Sequence, residues 1–199
     1  MARQAPLRDS GLVAWLIALL ALGLPGCGAE PSIPHVFVNS AAAGWQWRDG
    51  QLWLNNNRFS GWQYSLYPTG DTAFVGAYWQ GKAEGVHRKR YANGQLREWR
   101  HYRHGWQEGE QRGWYANGKP EFTAQCQHDV YEGKLNEWFP NGRLARRGTY
   151  HEGHEEGPQQ LWFDNGTLKA NYEAREGRLY GFTGVKNCEN VWDSIRVAP

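Results

Sequence analysis

The sequence predicts an all-β fold: a single elongated, twisted antiparallel sheet of stacked β-hairpin repeats with a 24-residue period. Asn-Gly dipeptides recur at a constant spacing, and the segments that follow them alternate between apolar and polar residues. The 199 residues also include 25 glycines, 12 tryptophans and 10 tyrosines. Glycine combined with aromatic residues is typical of short strands that are connected by tight turns.

The repeat is defined by residues that keep the same phase. The glycines of the Asn-Gly dipeptides, which we assign as structural turn residues, are Gly94, Gly118, Gly142 and Gly166. An aromatic residue stands three positions before each of them, and a Glu-Gly pair and a further glycine follow the same period. No insertion breaks this phase between residues 61 and 180, so a repeat array is the interpretation that comes first.

Each unit is interpreted as two strands and two turns. Asn-Gly between apolar runs is a strong hairpin signal because both residues tolerate positive φ. In the strand that follows, Leu168, Ala170 and Tyr172 alternate with polar residues, which indicates a half-buried strand. The recurring Gly-x-x-Glu-Gly segment is interpreted as the return turn. A lone hairpin is marginally stable, so the units are expected to stack into one sheet.

The repeats define the domain organisation. Five units occupy residues 61–180, and residues 45–60 are predicted to form a shortened, degenerate N-terminal hairpin that turns at Asp49-Gly50. Residues 181–199 are interpreted as a C-terminal cap that covers an open sheet edge. Residues 27–44 are interpreted as a tether.

Residues 1–26 are interpreted as a signal peptide of the lipoprotein type. Two arginines precede an apolar run over residues 11–24, which is too short for a comfortable membrane span. The Leu-Pro-Gly that precedes Cys27 resembles a bacterial lipobox, so Cys27 is the predicted lipidation site. A secretory signal cleaved near Ala29 and an uncleaved anchor remain alternatives. The lipoprotein interpretation predicts a lipid-anchored protein of the bacterial cell envelope, in the periplasm or at the outer-membrane face.

The motif Glu-Gly-x4-Trp-Tyr-x-Asn-Gly-x-Leu, closed by Gly-x-x-Glu-Gly, resembles the bacterial variant of the MORN repeat. Proteins with this repeat are often labelled YwqK-type antitoxins, and the chain resembles a lipoprotein subgroup of them over roughly residues 60–190. The resemblance implies a twisted sheet of hairpins and a binding or scaffolding role. Arg90, Cys126 and Tyr180 depart from the motif, where it has Trp, Tyr and Glu.

The sequence predicts no enzyme: no catalytic residue, metal ligand or cofactor is assigned. Phosphate-cradling loops, serine nucleophile motifs and Cys-x-x-Cys are missing from the sequence. Once the repeats are set aside, only the tether and a short tail remain, which is too little for a catalytic domain. The net charge of +2, with basic and acidic residues interleaved, argues against a nucleic-acid partner. The repeated Glu84, Glu108, Glu132 and Glu156 are interpreted as turn residues rather than acid/base groups.

Five histidines lie at or near the inter-unit turns: His101, His104, His128, His151 and His154. Equivalent positions on adjacent units are about 9–10 Å apart, which is two strand spacings and too far for shared metal ligation without help from His101 or His151. Solvated turn histidines are therefore favoured over adventitious metal capture.

Two cysteines remain besides Cys27. Cys126 and Cys188 are separated by about five strands, or roughly 24 Å, far beyond the reach of a disulfide. Both are predicted to be unpaired, and Cys126 is predicted to be a packed thiol because it replaces a repeated tyrosine.

Trp114, Trp138 and Trp162 share a phase and form a candidate binding strip. Two interpretations remain open: an exposed strip that binds a peptide, a glycan ring or a lipid surface, and structural packing between units. The predicted function is a non-enzymatic, envelope-anchored binding or scaffold module. It would recognise an unknown protein or cell-envelope component through its sheet face and contact the membrane through its N-terminal lipid. The alternative is an antitoxin or immunity-type inhibitor of a single cognate protein.

Overall fold

A computed structural model describes residues 31–184 of the protein. Every element below lies within residues 33–184. Residues 31–184 contain strands and no helix. In chain order the strands are β1 (Phe37–Asn39), β2 (Trp45–Arg48), β3 (Gln51–Leu54), β4 (Asn57–Arg58), β5 (Gly61–Leu66), β6 (Thr72–Trp79), β7 (Lys82–Arg90), β8 (Leu96–Arg103), β9 (Trp106–Gln107), β10 (Gly109–Trp114), β11 (Pro120–Gln127), β12 (Val130–Trp138), β13 (Leu144–His151), β14 (His154–Trp162), β15 (Leu168–Arg175) and β16 (Arg178–Phe182).

Thirteen of these strands form one sheet that does not close into a barrel, which confirms the predicted all-β fold of stacked hairpins. Its order is β1-β5-β6-β7-β8-β10-β11-β12-β13-β14-β15-β16, and β9 also pairs with β8. Two features differ from a single antiparallel sheet. Strand β1 runs parallel to β5, with Phe37 opposite Trp62. Strands β2, β3 and β4 form a separate three-stranded sheet.

The tight two-residue turns lie at the glycine that opens each Gly-x-x-Glu-Gly segment. His104 and Gly105 have φ of 52° and 93°, and Glu152 and Gly153 have φ of 49° and 79°. Two successive residues with positive φ are the mark of a type I′ hairpin turn, whose twist matches that of the strands. Asp129 takes the glycine position in one unit with φ of 67°, a conformation that aspartate tolerates better than most residues.

The Asn-Gly loops have a different geometry from the one expected from the dipeptide. Gly94 has φ of 82°, but Asn93 is not among the residues with positive φ. The Gly94 N–H donates to the Tyr91 carbonyl, and the Tyr91 N–H donates to the Gln95 carbonyl. This is a turn followed by one left-handed glycine, in which the Asn93 Oδ1 accepts the Gln95 N–H at 3.1 Å. Asparagine therefore acts here through its side chain, and the expectation of positive φ at both residues was wrong.

The Glu-Gly pairs form β-bulges and are not part of the return turn. Between the pairs Ala77–Glu84 and Val75–Arg88, three residues of β7 face one residue of β6. Gly85 lies in this bulge with φ of 64°, and the equivalent Gly157 has φ of 86°. Bulges increase the local twist, so each unit contributes twist at the same point along the sheet.

Two small clusters make up the hydrophobic core. The three-stranded sheet buries Leu52 and, with Phe59, packs it against Tyr78 of β6. The second cluster consists of Ala124, Leu135 and Tyr150, from β11, β12 and β13. The short strands β2–β4 thus cover one face of the large sheet at its first repeat, which sequence periodicity alone did not indicate.

Candidate functional site

The predicted binding strip lies along the ends of three alternate strands. Trp114, Trp138 and Trp162 are the last residues of β10, β12 and β14, and all three are half-buried. Because side chains two residues apart on a strand share a face, Trp138 lies on the same face as Asn136. The strip remains a prediction, and its half-buried rings border a polar surface.

A further aromatic residue lies on this face, nearer the first repeat. Trp99 of β8 is directly opposite Arg112 of β10, and the Arg112 guanidinium lies 5.9 Å from the Trp99 ring centroid. Arg112 also forms an ion pair with Glu110 at 2.5 Å. Trp99 was missed in the sequence because its phase differs from that of the repeated tryptophans, and only the strand register brings it to this face.

The Tyr-x-Asn-Gly loops join neighbouring units along one edge of the sheet, where the predicted turn residues Gly94, Gly118, Gly142 and Gly166 have φ of 82°, 81°, 89° and 88°. The Tyr91 hydroxyl donates to the Trp114 carbonyl at 2.9 Å, and the Tyr115 hydroxyl donates to the Trp138 carbonyl at 2.7 Å. The Asn93 side-chain amide donates to the Ala116 carbonyl at 3.0 Å. These bonds fix the backbone of the tryptophan strip to the preceding loop.

Replacing Tyr115 with phenylalanine is expected to lower the free energy of unfolding by about 1 kcal/mol, because the Trp138 carbonyl loses its hydroxyl donor. Phe139 and Phe163 show that the ring alone is accepted at this position of the repeat. Urea denaturation measures the change. Tyr131→Phe is the control, since Tyr131 is exposed and should change stability by less than about 0.5 kcal/mol. Equal effects for the two variants would contradict a structural role for the Tyr115 hydroxyl.

The repeated glutamates stabilise the tight turns of the next unit. The Glu84 carboxylate accepts the His104 N–H at 2.8 Å, and the Glu132 carboxylate accepts the Glu152 N–H at 2.8 Å. Each acceptor lies 20 residues before its donor, so the glutamate of one unit binds the tight turn of the next unit. These carboxylates accept hydrogen bonds from the backbone of the turns, so their role is structural.

Glu132 also contacts a histidine. The His151 Nδ1 lies 2.9 Å from Glu132 Oε1, and this hydrogen bond and charge raise the pKa of His151 above its ordinary value. The Glu152 N–H and His151 together lower the pKa of Glu132.

Replacing Glu132 with glutamine is expected to lower the pKa of His151, because the main cause of its upward shift is removed. An NMR titration of the His151 ring protons measures the change. Glu121→Gln removes the same charge at the opposite turn edge of the sheet and should leave the His151 titration unchanged. A His151 pKa that is insensitive to Glu132→Gln would show that the pair does not form in solution.

The other turn histidines do not converge. His104 and His128 occupy type I′ turns with φ of 52° and 50°, and each lies beside one bulge glutamate. The His101 Nδ1 lies 3.1 Å from the Glu108 carbonyl oxygen. Within residues 31–184, no three His, Cys, Asp or Glu side chains are grouped so that they could hold a metal ion.

A shallow cavity of about 310 Å³ lies at the tight-turn edge. It is lined by the Asp49-Gly50 turn of the small sheet and by Lys82, His104, Trp106 and Asp129. The Asp129 carboxylate accepts the Gln107 N–H, and the Trp106 ring is half exposed. The sequence did not indicate this cavity, because Trp106 is out of phase with the repeated tryptophans.

His87 is a buried titratable residue for which the repeat pattern predicts no role. Its Nε2 lies 2.7 Å from the Ala77 carbonyl oxygen, and its ring contacts those of Tyr78 and Tyr102. A carbonyl only accepts, so Nε2 carries the proton of the neutral ring. Burial lowers the pKa of His87 to about 4. The same repeat position holds Gln111, Leu135 and Gln159, which are also buried.

Of the three cysteines, the described residues include Cys126, which is a free, buried thiol whose pKa is raised by burial. Cys27, the predicted lipidation site, and Cys188 lie outside the described residues, as do the signal peptide and most of the cap. Among residues 31–184, no helix has the length and apolar character needed to cross a membrane.

Comparison with known families identifies one unit of the array. Residues 107–125 match the MORN repeat variant, a family of generally non-enzymatic repeats. The match begins at the Glu-Gly bulge, continues through β10 and the Asn-Gly loop, and ends within β11. No curated protein matches the chain. Residues of the same types recur with the 24-residue period in the other units, and the matched type of repeat suggests a binding module.

Proposed function

We propose that the protein is a non-enzymatic binding module of the bacterial cell envelope. It is anchored by a lipid on Cys27 and recognises a protein or envelope component through the sheet face that carries Trp114, Trp138 and Trp162. The observation that carries this proposal is the arrangement of the three tryptophans, which are half-buried at equivalent places in an open sheet. Aromatic side chains that are partly exposed and held by a rigid backbone are typical of binding hot spots.

The hydrogen bonds between neighbouring units support this role. Hydrogen bonds from Tyr91 and Tyr115 hold the backbone carbonyls of Trp114 and Trp138, so the strip is pre-organised. Pre-organisation reduces the ordering cost on binding, which favours recognition by a static surface.

The partner-binding test uses the full chain in its bacterial host, with quantitative mass spectrometry of proteins and envelope polymers that co-purify with it. Trp138→Ala is expected to reduce recovery of a specific partner by about tenfold or more, since a hot-spot side chain contributes about 2 kcal/mol. Trp106→Ala is the control, because Trp106 is half exposed at the tight-turn edge. Equal recovery with both variants would refute recognition through the strip. A single dominant protein that the chain neutralises would identify an immunity-type inhibitor.

The anchor is tested separately by feeding cells with labelled palmitate. Label is expected on the full chain and should be lost in Cys27→Ser, with the variant released from the membrane fraction. Label that persists in Cys27→Ser, or a wild-type chain that carries none, would exclude lipidation at this residue.

A further inference from the structure

One row of polar side chains crosses the second half of the sheet. The strand register places Thr123 opposite Asn136, Asn136 opposite Arg147, Arg147 opposite Gln160 and Gln160 opposite Asn171. Adjacent strands are about 4.8 Å apart, so these five residues span about 19 Å. They lie on the face that carries the tryptophan strip, because Trp138 and Trp162 are two residues beyond Asn136 and Gln160.

A shallow cavity of about 390 Å³ lies on this row. Its lining includes Lys134, Asn136, Arg147, Thr149, Pro158 and Gln160. Amide and hydroxyl side chains can both donate and accept hydrogen bonds, which suits a ligand that presents several hydroxyl groups.

The cavity has a positive charge that the protein does not neutralise. Lys134 and Arg147 are both exposed, and neither forms an ion pair within residues 31–184. On the opposite face, the neighbouring Arg146 is paired with Glu155 at 2.5 Å. On the cavity face, Glu173 is opposite Pro158, and its carboxylate is paired with Arg175 at 2.6 Å. Two unpaired cations within a polar cavity are complementary to a carboxylate-bearing ligand.

We infer that this polar row binds an acidic glycan chain, with its carboxylates against Lys134 and Arg147 and its ring faces towards Trp138 and Trp162. The inference rests on the proposed binding role of this face. The hydroxyls of a sugar match the amides of Asn136 and Gln160, and its apolar C–H face matches an indole ring. An extended peptide would instead need an open strand edge or side-chain pockets, and the row lies in the interior of the sheet, where the neighbouring backbones are already paired.

The test measures binding of a galacturonic acid oligomer to the purified full chain by isothermal titration calorimetry. The uncharged galactose oligomer of the same length and an oligoglutamate serve as comparison ligands. Arg147→Ala and Lys134→Ala are each expected to weaken binding of the acidic oligomer about tenfold, which corresponds to about 1.4 kcal/mol. Both side chains are exposed, so the variants should melt at the wild-type temperature. Lys82→Ala removes an equal, exposed charge at the tight-turn edge and should leave binding unchanged.

The other outcomes would overturn the acidic glycan as the ligand of the polar row or replace it with a different ligand. Absence of binding, or equal weakening by Lys82→Ala, would overturn the inference. Oligoglutamate that binds as tightly as the acidic glycan would replace it with an acidic peptide ligand, and an equally bound galactose oligomer would remove the role of the two cations. If Trp138→Ala abolishes partner recovery while the glycan does not bind, this inference fails and the proposed function stands. If the glycan binds but Trp138→Ala leaves partner recovery unchanged, the proposed recognition through the strip fails instead.

Discussion

Replacing Leu52 with alanine is expected to lower the free energy of unfolding by about 2–5 kcal/mol. Leu52 is 1% exposed and is the centre of the cluster that joins the small sheet to the first repeat. Its backbone also connects the small sheet to the first repeat. The Leu52 N–H donates to the Gly81 carbonyl at 2.8 Å, and the Leu52 carbonyl accepts the Phe59 N–H at 3.0 Å. A cavity at this point removes side-chain packing that the rigid backbone cannot restore.

Urea denaturation, followed by tryptophan fluorescence, measures the Leu52→Ala effect. Leu66→Ala is the matched control, because Leu66 is 45% exposed and should change stability by less than about 0.5 kcal/mol. A similar small loss for both variants would mean that the small sheet is not packed onto the first repeat. In a repeat array each unit contacts its neighbours, so the loss should be concentrated in the unfolding of the N-terminal units.

Acidification from pH 7 to pH 4 is expected to destabilise the protein by about 3 kcal/mol through His87 alone. Above pH 6.5 the ring is neutral in the folded and unfolded states and contributes no pH dependence. Below that pH, His87 becomes protonated in the unfolded chain, whereas in the folded protein it stays neutral until the pH approaches its pKa of about 4. Stability is therefore complete above pH 6.5 and is lost progressively as the pH falls towards 4. Burial is the main cause, and the nearby Lys89 also lowers the pKa.

His87→Gln isolates this contribution, because glutamine occupies the same repeat position at Gln111 and Gln159. The unfolding free energies of both proteins are compared at pH 7 and pH 4, which removes the shared contribution of the carboxylates. The variant should lose about 3 kcal/mol less than the wild type over this range. The same pH dependence in both proteins would show that His87 is protonated in the folded state, or that its ring is solvated.

The repeat period allowed the fold to be predicted, but turn geometry was less accessible. Glycines in phase with aromatic residues specify hairpins, whichever loop they form. The dipeptide Asn93-Gly94 is compatible with two loop types, and the hydrogen bonds of Tyr91 decide between them. The tight turn at His104-Gly105 was obscured because its first residue is not the asparagine, aspartate or glycine typical of type I′ turns. Here the Glu84 carboxylate, from the preceding unit, accepts the His104 N–H.

The site was less predictable than the fold for a related reason. The tryptophan strip follows the period and is visible in the sequence, whereas the polar row is assembled by register across four strand pairs. Thr123, Arg147 and Asn171 share the 24-residue spacing, as do Asn136 and Gln160, but only the strand register shows that these two sets form one row.

The bonds between units have a consequence for how such a protein can change in length. Glutamates reach turns 20 residues later, and loop tyrosines and asparagines reach carbonyls 23 residues later. Excising residues 109–132, or duplicating them, would leave these glutamates, tyrosines and asparagines facing a partner at the same offset. Gene duplication or deletion in steps of one unit would therefore lengthen or shorten the binding face without changing the hydrogen bonds between units. The number of units in the array can therefore vary while the contacts between neighbouring units stay the same.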